Sequence, residues 1–572
     1  MSRSVVVYLH SHLPWVLGHG RWPHGSDWLC EAVAETYLPL TAVFRSLLRD
    51  GIHARCVLGV TPVLAEQLAH PEFAKEFEHY LAHKIDSAER DARNFASTSP
   101  ELEALARRWI DFYRSTERLF FTDLGCDLVG AWRSLAAQGA IELATSAATH
   151  GYLPLLARDD SIRRQLAVGV ATHTRHFGRR PHGVWLPECA YRPAGWWESP
   201  FPDFQLSAER PGVETFLDEA GLGYFVVDSH LFRGGRPATF YLERFQNPAV
   251  APARTATIGD SDAGGGGDAR GRFPIDRAYT VGDARVAVFA RDPAAARQVW
   301  SRAEGYPGDG AYLEFHKKHY PGGMRYWSVT ESGGDLGAKQ VYDPALAEVR
   351  VRSHAEHFVG VLGRSLAGAA RGVACVAFDT ELFGHWWFEG PAWLEAVLRA
   401  VARKQADFSI ETPGHTLEAV PPSRSISLPE GSWGDGGGHG VWLNDNTRWT
   451  WRLVYDAELR MAEAARRASE LPAARRVGAG RILREMGREL LLLESSDWQF
   501  LITTAGAPDY AERRLREHHD TFRRIAAVWE RFIERGALSD EDGAILDAIE
   551  KLPRPFAAVD ERVWWGEGKA GN

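Results

Sequence analysis

Short apolar runs that stop abruptly at a polar or ionisable residue recur through the first two thirds of the chain. Val5 to Leu9 ends at His10, Cys56 to Val60 ends at Thr61-Pro62, and Ile141 to Thr145 ends shortly before His150. Gly183 to Leu186 ends at Pro187-Glu188, and Tyr224 to Val227 ends at Asp228 and His230. Arg285 to Ala290 ends at Arg291-Asp292, and Val373 to Phe378 ends at Asp379. Runs of four to six residues with little polar alternation predict strands buried on both faces. Most are followed by turn residues and then by helical periodicity, so seven strand-helix units around a parallel sheet are expected. An ionisable group at nearly every carboxyl end suits a barrel whose site is built on one rim. A doubly wound open sheet is the structural alternative, but it gathers ligand contacts at one switch point.

The remaining segments read differently. Between the second and third runs, Leu64 to Gln138 is helical in period, with Glu101 to Tyr113 charged on one face and apolar on the other, and predicts a helical insertion. Asp260 to Asp268 is too rich in glycine for regular structure and predicts a loop, with a lid over the cleft as the alternative. Beyond about residue 420, Arg452 to Leu471, Ala474 to Leu493 and Tyr510 to Ile533 repeat apolar residues at i, i+3 and i+4, predicting a closing helical bundle. Two polar interruptions, Gly431 to Trp442 and Ser495 to Gln499, are placed to reach back to the barrel rim.

At 572 residues the chain exceeds what a single core supports, so more than one folded unit is expected. The net charge of −9 offers no basic footprint for nucleic acid, which leaves a neutral, hydroxyl-rich or small partner. The first apolar run is too short for a signal peptide and reads as the opening strand, and no run is long enough to span a bilayer. Five cysteines without C-x-x-C spacing suit reduced thiols in a cytoplasm better than disulfides or a zinc site.

Glu188 and Asp379 are the candidate chemistry. Pro187 holds Leu186 extended, which presents Glu188 at a strand end among Trp185, Tyr191, Trp196 and Trp197. Two strand-end carboxyls near aromatic rings suggest glycosidic-bond cleavage, retaining if they lie about 5 Å apart. A structural salt bridge or cap is the bland reading of each. His10 and His12 fall on one side of an extended chain and suit hydrogen bonding to substrate hydroxyls, a structural role, or a metal with His150, Asp228 or His230 as third ligand. Asp228 and Arg291, at the fifth and sixth strand ends, join the candidate binding residues. Of 21 tryptophans, many lie outside strand runs and next to glycine or proline; Trp15, Trp22, Trp28, Trp433, Trp442 and Trp498 are placed in loops, which predicts exposed stacking surfaces for a polymer.

His10-Ser11-His12-Leu13-Pro14, Gly59 to Pro62, Trp185 to Tyr191, Phe378 to Trp387 and Ser495 to Trp498 resemble, in order, the five motifs of glycoside hydrolase family 57. Gly20 to Gly25 and Arg291 to Ser301 resemble its 1,4-α-glucan branching-enzyme subgroup. The resemblance implies an α/β fold: an incomplete (β/α)7 TIM-like barrel over about 1–400, with a helical insertion at about 64–138 and a glycine-rich loop at about 246–283, and a helical C-terminal domain over 401–572. It implies retaining chemistry with no metal or other cofactor, Glu188 as nucleophile and Asp379 as general acid and base. His10, His12, His150, Trp185, Glu381 and Asp497 would line the donor site, and Trp22, Trp28, Trp433, Trp442 and Trp498 would guide an α-glucan. It also implies a shielding tyrosine after the fifth strand. Here that region, Asp228 to Pro237, contains none, and Tyr241 is the first tyrosine afterwards. The functional expectation is a cytoplasmic branching enzyme, monomer or dimer, without nucleic-acid or membrane partners. An amylase-like hydrolase or a 4-α-glucanotransferase is the near alternative. A metal-dependent deacetylase and a non-catalytic glycan-binding protein are the remote ones.

Overall fold

A computed structural model describes residues 3–21, 24–234, 273–301, 305–368, 371–403, 406–560 and 563–565. The strands, in chain order, are β1 (Arg3–Ser11), β2 (Cys56–Val60), β3 (Ile141–Ser146), β4 (Val184–Trp185), β5 (Gly195–Glu198) and β6 (Ser207–Arg210). They continue with β7 (Tyr224–Val227), β8 (Tyr279–Val281), β9 (Ala287–Ala290), β10 (Val373–Asp379), β11 (Phe408–Ile410) and β12 (Ser425–Ile426).

All seven expected runs form parallel strands, in the order β10-β1-β2-β3-β4 and β7-β9. Two isolated parallel bridges join these arcs: Gly183 with Tyr224, between β4 and β7, and Arg291 with Cys375, between β9 and β10. The ring is therefore continuous but thin at two places, and this is the sense in which the barrel is incomplete. Strands β2, β3, β4, β7 and β9 are buried along their whole length, as their unbroken apolar runs require. The alternative of an open doubly wound sheet is not what forms.

Several short strands have no clear sequence signature. Strands β5 and β6 make a separate antiparallel hairpin, β8 runs antiparallel to β9, and β12 pairs with β8. Strand β11 lies past residue 400 yet pairs with β1 at the barrel floor, Arg3 opposite Phe408. The insertion is helical, with Pro71–Phe95 and Pro100–Glu117 packed on each other. Each starts with proline at its first turn and a side-chain cap, from His70 to the Glu72 N–H and from Ser99 to the Leu102 N–H.

The C-terminal helices Arg448–Ser469, Ala473–Leu493 and Pro508–Arg535 match the expected periodicity. The polar Ser495-Ser496 step separates Leu493 from the short helix Asp497–Thr503. No helix among the described residues is long and apolar enough to cross a membrane. Much of the glycine-rich loop, with Tyr241, lies outside the described residues, as does Trp22.

Barrel closure depends on an absent side chain. A Cβ placed on Gly183 would lie 2.1 Å from the Tyr224 ring, whose hydroxyl is fixed by donating to Glu142 Oε1 at 2.6 Å. Gly183→Ala is therefore expected to destabilise the fold by about 1–3 kcal/mol, read as a lowered unfolding midpoint in denaturant. A midpoint equal to that of the parent would show that closure does not depend on this contact.

Candidate active site

β4 ends at Trp185, and after Leu186 the chain turns through Pro187–Cys189. Glu188 sits three residues beyond the strand end with φ 60° and ψ 23°, and Cys189 follows with φ 50°. Left-handed backbone at a non-glycine residue costs about 1–3 kcal/mol and persists only where the surroundings impose it. Here Cys189 N–H donates to Leu186 O at 2.9 Å, Ala190 N–H to Pro187 O at 3.0 Å and Trp433 N–H to Glu188 O at 3.2 Å. The turn aims the Glu188 carboxyl at the barrel mouth. Asp379 closes β10 directly opposite His10 of β1, so strand register places it on the same rim.

Glu188 and Asp379 line one cavity of about 390 Å³. His10, His12, His150, Glu381, Trp433 and Asp497 share its wall, as do Trp28, Trp300, Phe315 and Trp386. The polar groups are heavily cross-bonded. Trp433 Nε1–H donates to Glu188 Oε2 at 2.8 Å, and the Ser496 hydroxyl to Glu188 Oε1 at 3.2 Å. His12 Nε2 lies 2.9 Å from Asp497 Oδ2, and its Nδ1 lies 3.0 Å from Thr61 Oγ1. His150 Nδ1 meets Ser496 Oγ at 2.9 Å, and His150 Nε2 meets His10 Nε2 at 3.1 Å. The ligand atoms of His12, His150 and Asp497 lie within 4.8 Å of one another, close enough to share a cation. Asp228 and His230, offered as third ligands, bond to each other at 3.1 Å.

Burial dominates the electrostatics. It pushes Glu188 up to about 8, aided by the charges of Asp379 and Asp497 and opposed by the Trp433 hydrogen bond and His12. It pushes Glu381 up to about 7, although the Tyr37 hydroxyl and the His12 N–H both donate to that carboxylate. Burial and neighbouring imidazoles hold His10 and His150 well below the usual histidine value, so both rings are neutral. Asp497 moves the other way: burial opposes its ionisation, but His12, His150 and Ser495 outweigh it and hold the carboxyl low.

Among the described residues, five expected site residues, Trp185, Asp228, Arg291, Trp442 and Trp498, are not on the cavity wall. Trp185 is fully buried behind it, stacked on His10 at 4.8 Å between ring centres and edge-on to Trp433 at 5.3 Å. Asp228 and Arg291 form a buried ion pair at 2.5 Å, with the guanidinium over the Trp433 ring at 5.3 Å. Burial opposes the charge on Asp228, but Arg291 and His230 hold its carboxyl well below the usual range. Trp185 and Arg291 pack directly on Trp433.

The expectation of exposed tryptophans is corrected for four of them. Trp15, Trp433, Trp442 and Trp498 are all buried. Trp442 stacks on Tyr152 at 4.5 Å, and Trp498 donates to Leu492 O at 2.8 Å beneath the Arg514 guanidinium. Trp498 lies in the helix Asp497–Thr503, and the loops that carry Trp433 and Trp442 are packed segments whose glycines allow close backbone approach. Of the pair Trp386 and Trp387, the first lines the cavity and the second is core. Sequence reasoning missed Ser496 and Tyr37 as site residues. The polar break before Asp497 marked the first, and nothing local marks Tyr37, which sits in a helical run.

The family model described as Glycosyl hydrolase family 57 matches residues 6–262, and that described as 1,4-alpha-glucan branching enzyme, C-terminal, matches residues 453–564. A 1,4-alpha-glucan branching enzyme of Thermococcus kodakarensis is 40% identical over 98% of this chain and 78% of its own. A probable 1,4-alpha-glucan branching enzyme of Mycobacterium tuberculosis is 31% identical over 92% of this chain and 95% of its own. Among solved structures, the branching enzyme of Thermococcus kodakarensis in complex with glucose matches with a TM-score of 0.85 at 39% identity, covering 99% of this chain and 96% of that one. The alpha-amylase AmyC of Thermotoga maritima matches with a TM-score of 0.77 at 25% identity, covering 99% of both chains. With the barrel, the paired strand-end acids and a relative this similar along nearly its whole length, the chain belongs to glycosyl hydrolase family 57.

Proposed function

We propose that this protein is a 1,4-α-glucan branching enzyme. The observation that carries the reading is the joint placement of Glu188 and Asp379 on one aromatic-walled cavity, in a chain 40% identical over 98% of its length to an enzyme of that name. Catalysis belongs to the barrel, about residues 1–400 with its insertion at about 64–138. Residues 401–572 bring Trp433, Ser496 and Asp497 to the same rim.

Asp379, protonated, gives its proton to the glycosidic oxygen while a Glu188 carboxylate oxygen attacks the anomeric carbon. The C–O bond to the leaving chain breaks and a glycosyl ester forms with inversion. Asp379, now ionised, takes the proton from an acceptor 6-hydroxyl, whose oxygen attacks the same carbon and displaces Glu188. Two inversions give net retention and an α-1,6 bond. His12, Glu381 and Asp497 are placed to hold sugar hydroxyls, and Trp28 and Trp386 offer ring faces to the chain. The four buried free thiols suit a reducing cytoplasm, where the product would be a glycogen-like store.

The similarity to an alpha-amylase supports one rival, in which water replaces the 6-hydroxyl on the same scaffold. Incubation with amylose followed by linkage analysis separates the two: new α-1,6 bonds should outnumber new reducing ends, and an absence of α-1,6 bonds would refute branching. Glu188→Gln should lower kcat by about 10⁴-fold or more, and Asp379→Asn by about 10²–10⁴-fold, with the far-ultraviolet circular dichroism of each variant unchanged. Because attack needs Glu188 ionised, kcat/KM should rise with pH through its ionisation. That acid limb should lie above the ordinary 4.5 and no higher than about 8. A limb at or below 4.5 would contradict the burial that raises Glu188.

A further inference from the structure

A nucleophilic carboxylate in this cavity faces a conflict. Burial and the neighbouring acids favour a proton on Glu188, whereas attack requires the charge there and the proton on Asp379. What tips such a pair is the set of donors aimed at each oxygen. Glu188 Oε2 takes the Trp433 indole N–H at 2.8 Å, and Oε1 takes the Ser496 hydroxyl at 3.2 Å.

The Ser496 bond has a direction, and that direction propagates. An ionised carboxylate only accepts, so Ser496 O–H donates to Glu188 and Ser496 Oγ accepts at 2.9 Å from His150 Nδ1–H. A neutral His150 then leaves Nε2 bare to accept at 3.1 Å from His10 Nε2–H. The chain ends at His10 Nδ1, which becomes a lone pair. That atom is buried and has no hydrogen-bond partner, an arrangement much cheaper for an acceptor than for an N–H. His150 Nδ1 lies 3.8 Å from Glu188 Oε1, too far to donate directly, so the hydroxyl bridges the gap.

Ser496 is also held in place to do this. It is fully buried, and its own N–H donates to His150 O at 3.1 Å, which ties its backbone to the residue it bridges.

We propose that Ser496 is a positioning residue for the reaction, passing the orientation of the His10–His150 pair to Glu188 Oε1 and so keeping the charge on Glu188 and the proton on Asp379. The proposal rests on the reading of Glu188 as nucleophile. Asp379 from β10, Asp497 from the C-terminal helix, His12 just past β1, His150 and Tyr152 from the segment after β3, and the adjacent Cys189 are the titratable groups facing Glu188. Ser496 itself does not titrate, and its replacement adds no charge to this set.

The test uses the full-length protein. The pH dependence of kcat/KM for α-1,4 cleavage is compared in the parent, Ser496→Ala and Ser496→Thr. Loss of the donor should move the acid limb of Ser496→Ala upward by about one pH unit, with KM within about twofold of the parent, and the threonine hydroxyl should restore the limb. An unmoved limb, or a loss confined to KM, would overturn the proposal. A second measurement needs no alanine variant. Long-range ¹H–¹⁵N spectra of the ¹⁵N-histidine-labelled parent, with the His150 signal assigned from His150→Gln, should show His150 protonated at Nδ1 and bare at Nε2. An Nε2–H tautomer or an imidazolium there would refute the chain. Full cleavage activity in Glu188→Gln would sink the nucleophile reading itself, and the tautomer measurement stands apart from that result.

Discussion

The constraint on which the molecule depends is the crowding of carboxylates and imidazoles into one water-poor cavity. Glu188, Asp379, Glu381 and Asp497 share a wall with His10, His12 and His150, and a buried charge left without a partner costs several kcal/mol. No single segment supplies the partners. The donors to Glu188 come from residues 433 and 496, and the donors to Glu381 come from residues 12 and 37. The C-terminal helices are therefore part of the site and not an appendage: Gly151 bridges to Ser495, and Ser496 N–H bonds to His150 O. This docking also bears the cost of the left-handed backbone at Glu188 and His150, because the contacts that over-determine those turns come from the same loops.

The part of this that was legible in the sequence is set by the demands each residue has to satisfy. All seven barrel strands could be read because burial on both faces leaves an unbroken apolar run, and Glu188 and Asp379 could be read because both runs end on an acid. Their register could not, since parallel pairing of distant segments leaves no local trace. The short strands β5, β6, β8, β11 and β12 hide for the same reason, being defined by their partners. Tryptophan was misread through its neighbours. Glycine beside Trp433 and Trp442 suggested open loops, whereas a glycine allows backbone to approach a large ring: a Cβ on Gly434 would lie 2.7 Å from Trp442. Asp228 and Arg291 were rightly seen at strand ends, yet their opposite charges satisfy each other and leave Trp433 facing the cavity.

The likeness to both branching enzymes and an alpha-amylase makes physical sense on this scaffold. Glycosyl ester formation needs only the two acids and the donors that set their protonation. The fate of the ester depends on which oxygen reaches the anomeric carbon, and that is a matter of the outer wall. Trp28, Trp300, Phe315 and Trp386 come from four separate segments, whereas the donors to Glu188 are Trp433 and Ser496. Apolar ring faces there disfavour ordered water and suit a stacked sugar.

One local irregularity shows how far the site reaches into the fold. Between helices Ser26–Ala32 and Leu38–Arg49 the chain widens into a single π turn, Val33–Tyr37, with Leu38 N–H bonded to Val33 O. A wide turn admits an extra residue and rotates the succeeding side chains relative to a regular helix. Its consequence is that Glu35 and Tyr37 both face inward: Glu35 pairs with Arg325 at 2.6 Å, and the Tyr37 hydroxyl meets Glu381. The turn after β10 must then lie against the π turn. A Cβ on Gly384 would lie 1.7 Å from Glu35 O, and Gly384 adopts φ 117°, so glycine is required on both counts. His385 N–H completes the contact by donating to Thr36 Oγ1 at 3.0 Å. Regular helix at 33–37 would turn Tyr37 away from Glu381, leaving that buried carboxylate without its hydroxyl donor and with backbone N–H groups of His12 and of Glu381 itself. The irregular backbone is thus maintained by the same need for donors that governs Glu188.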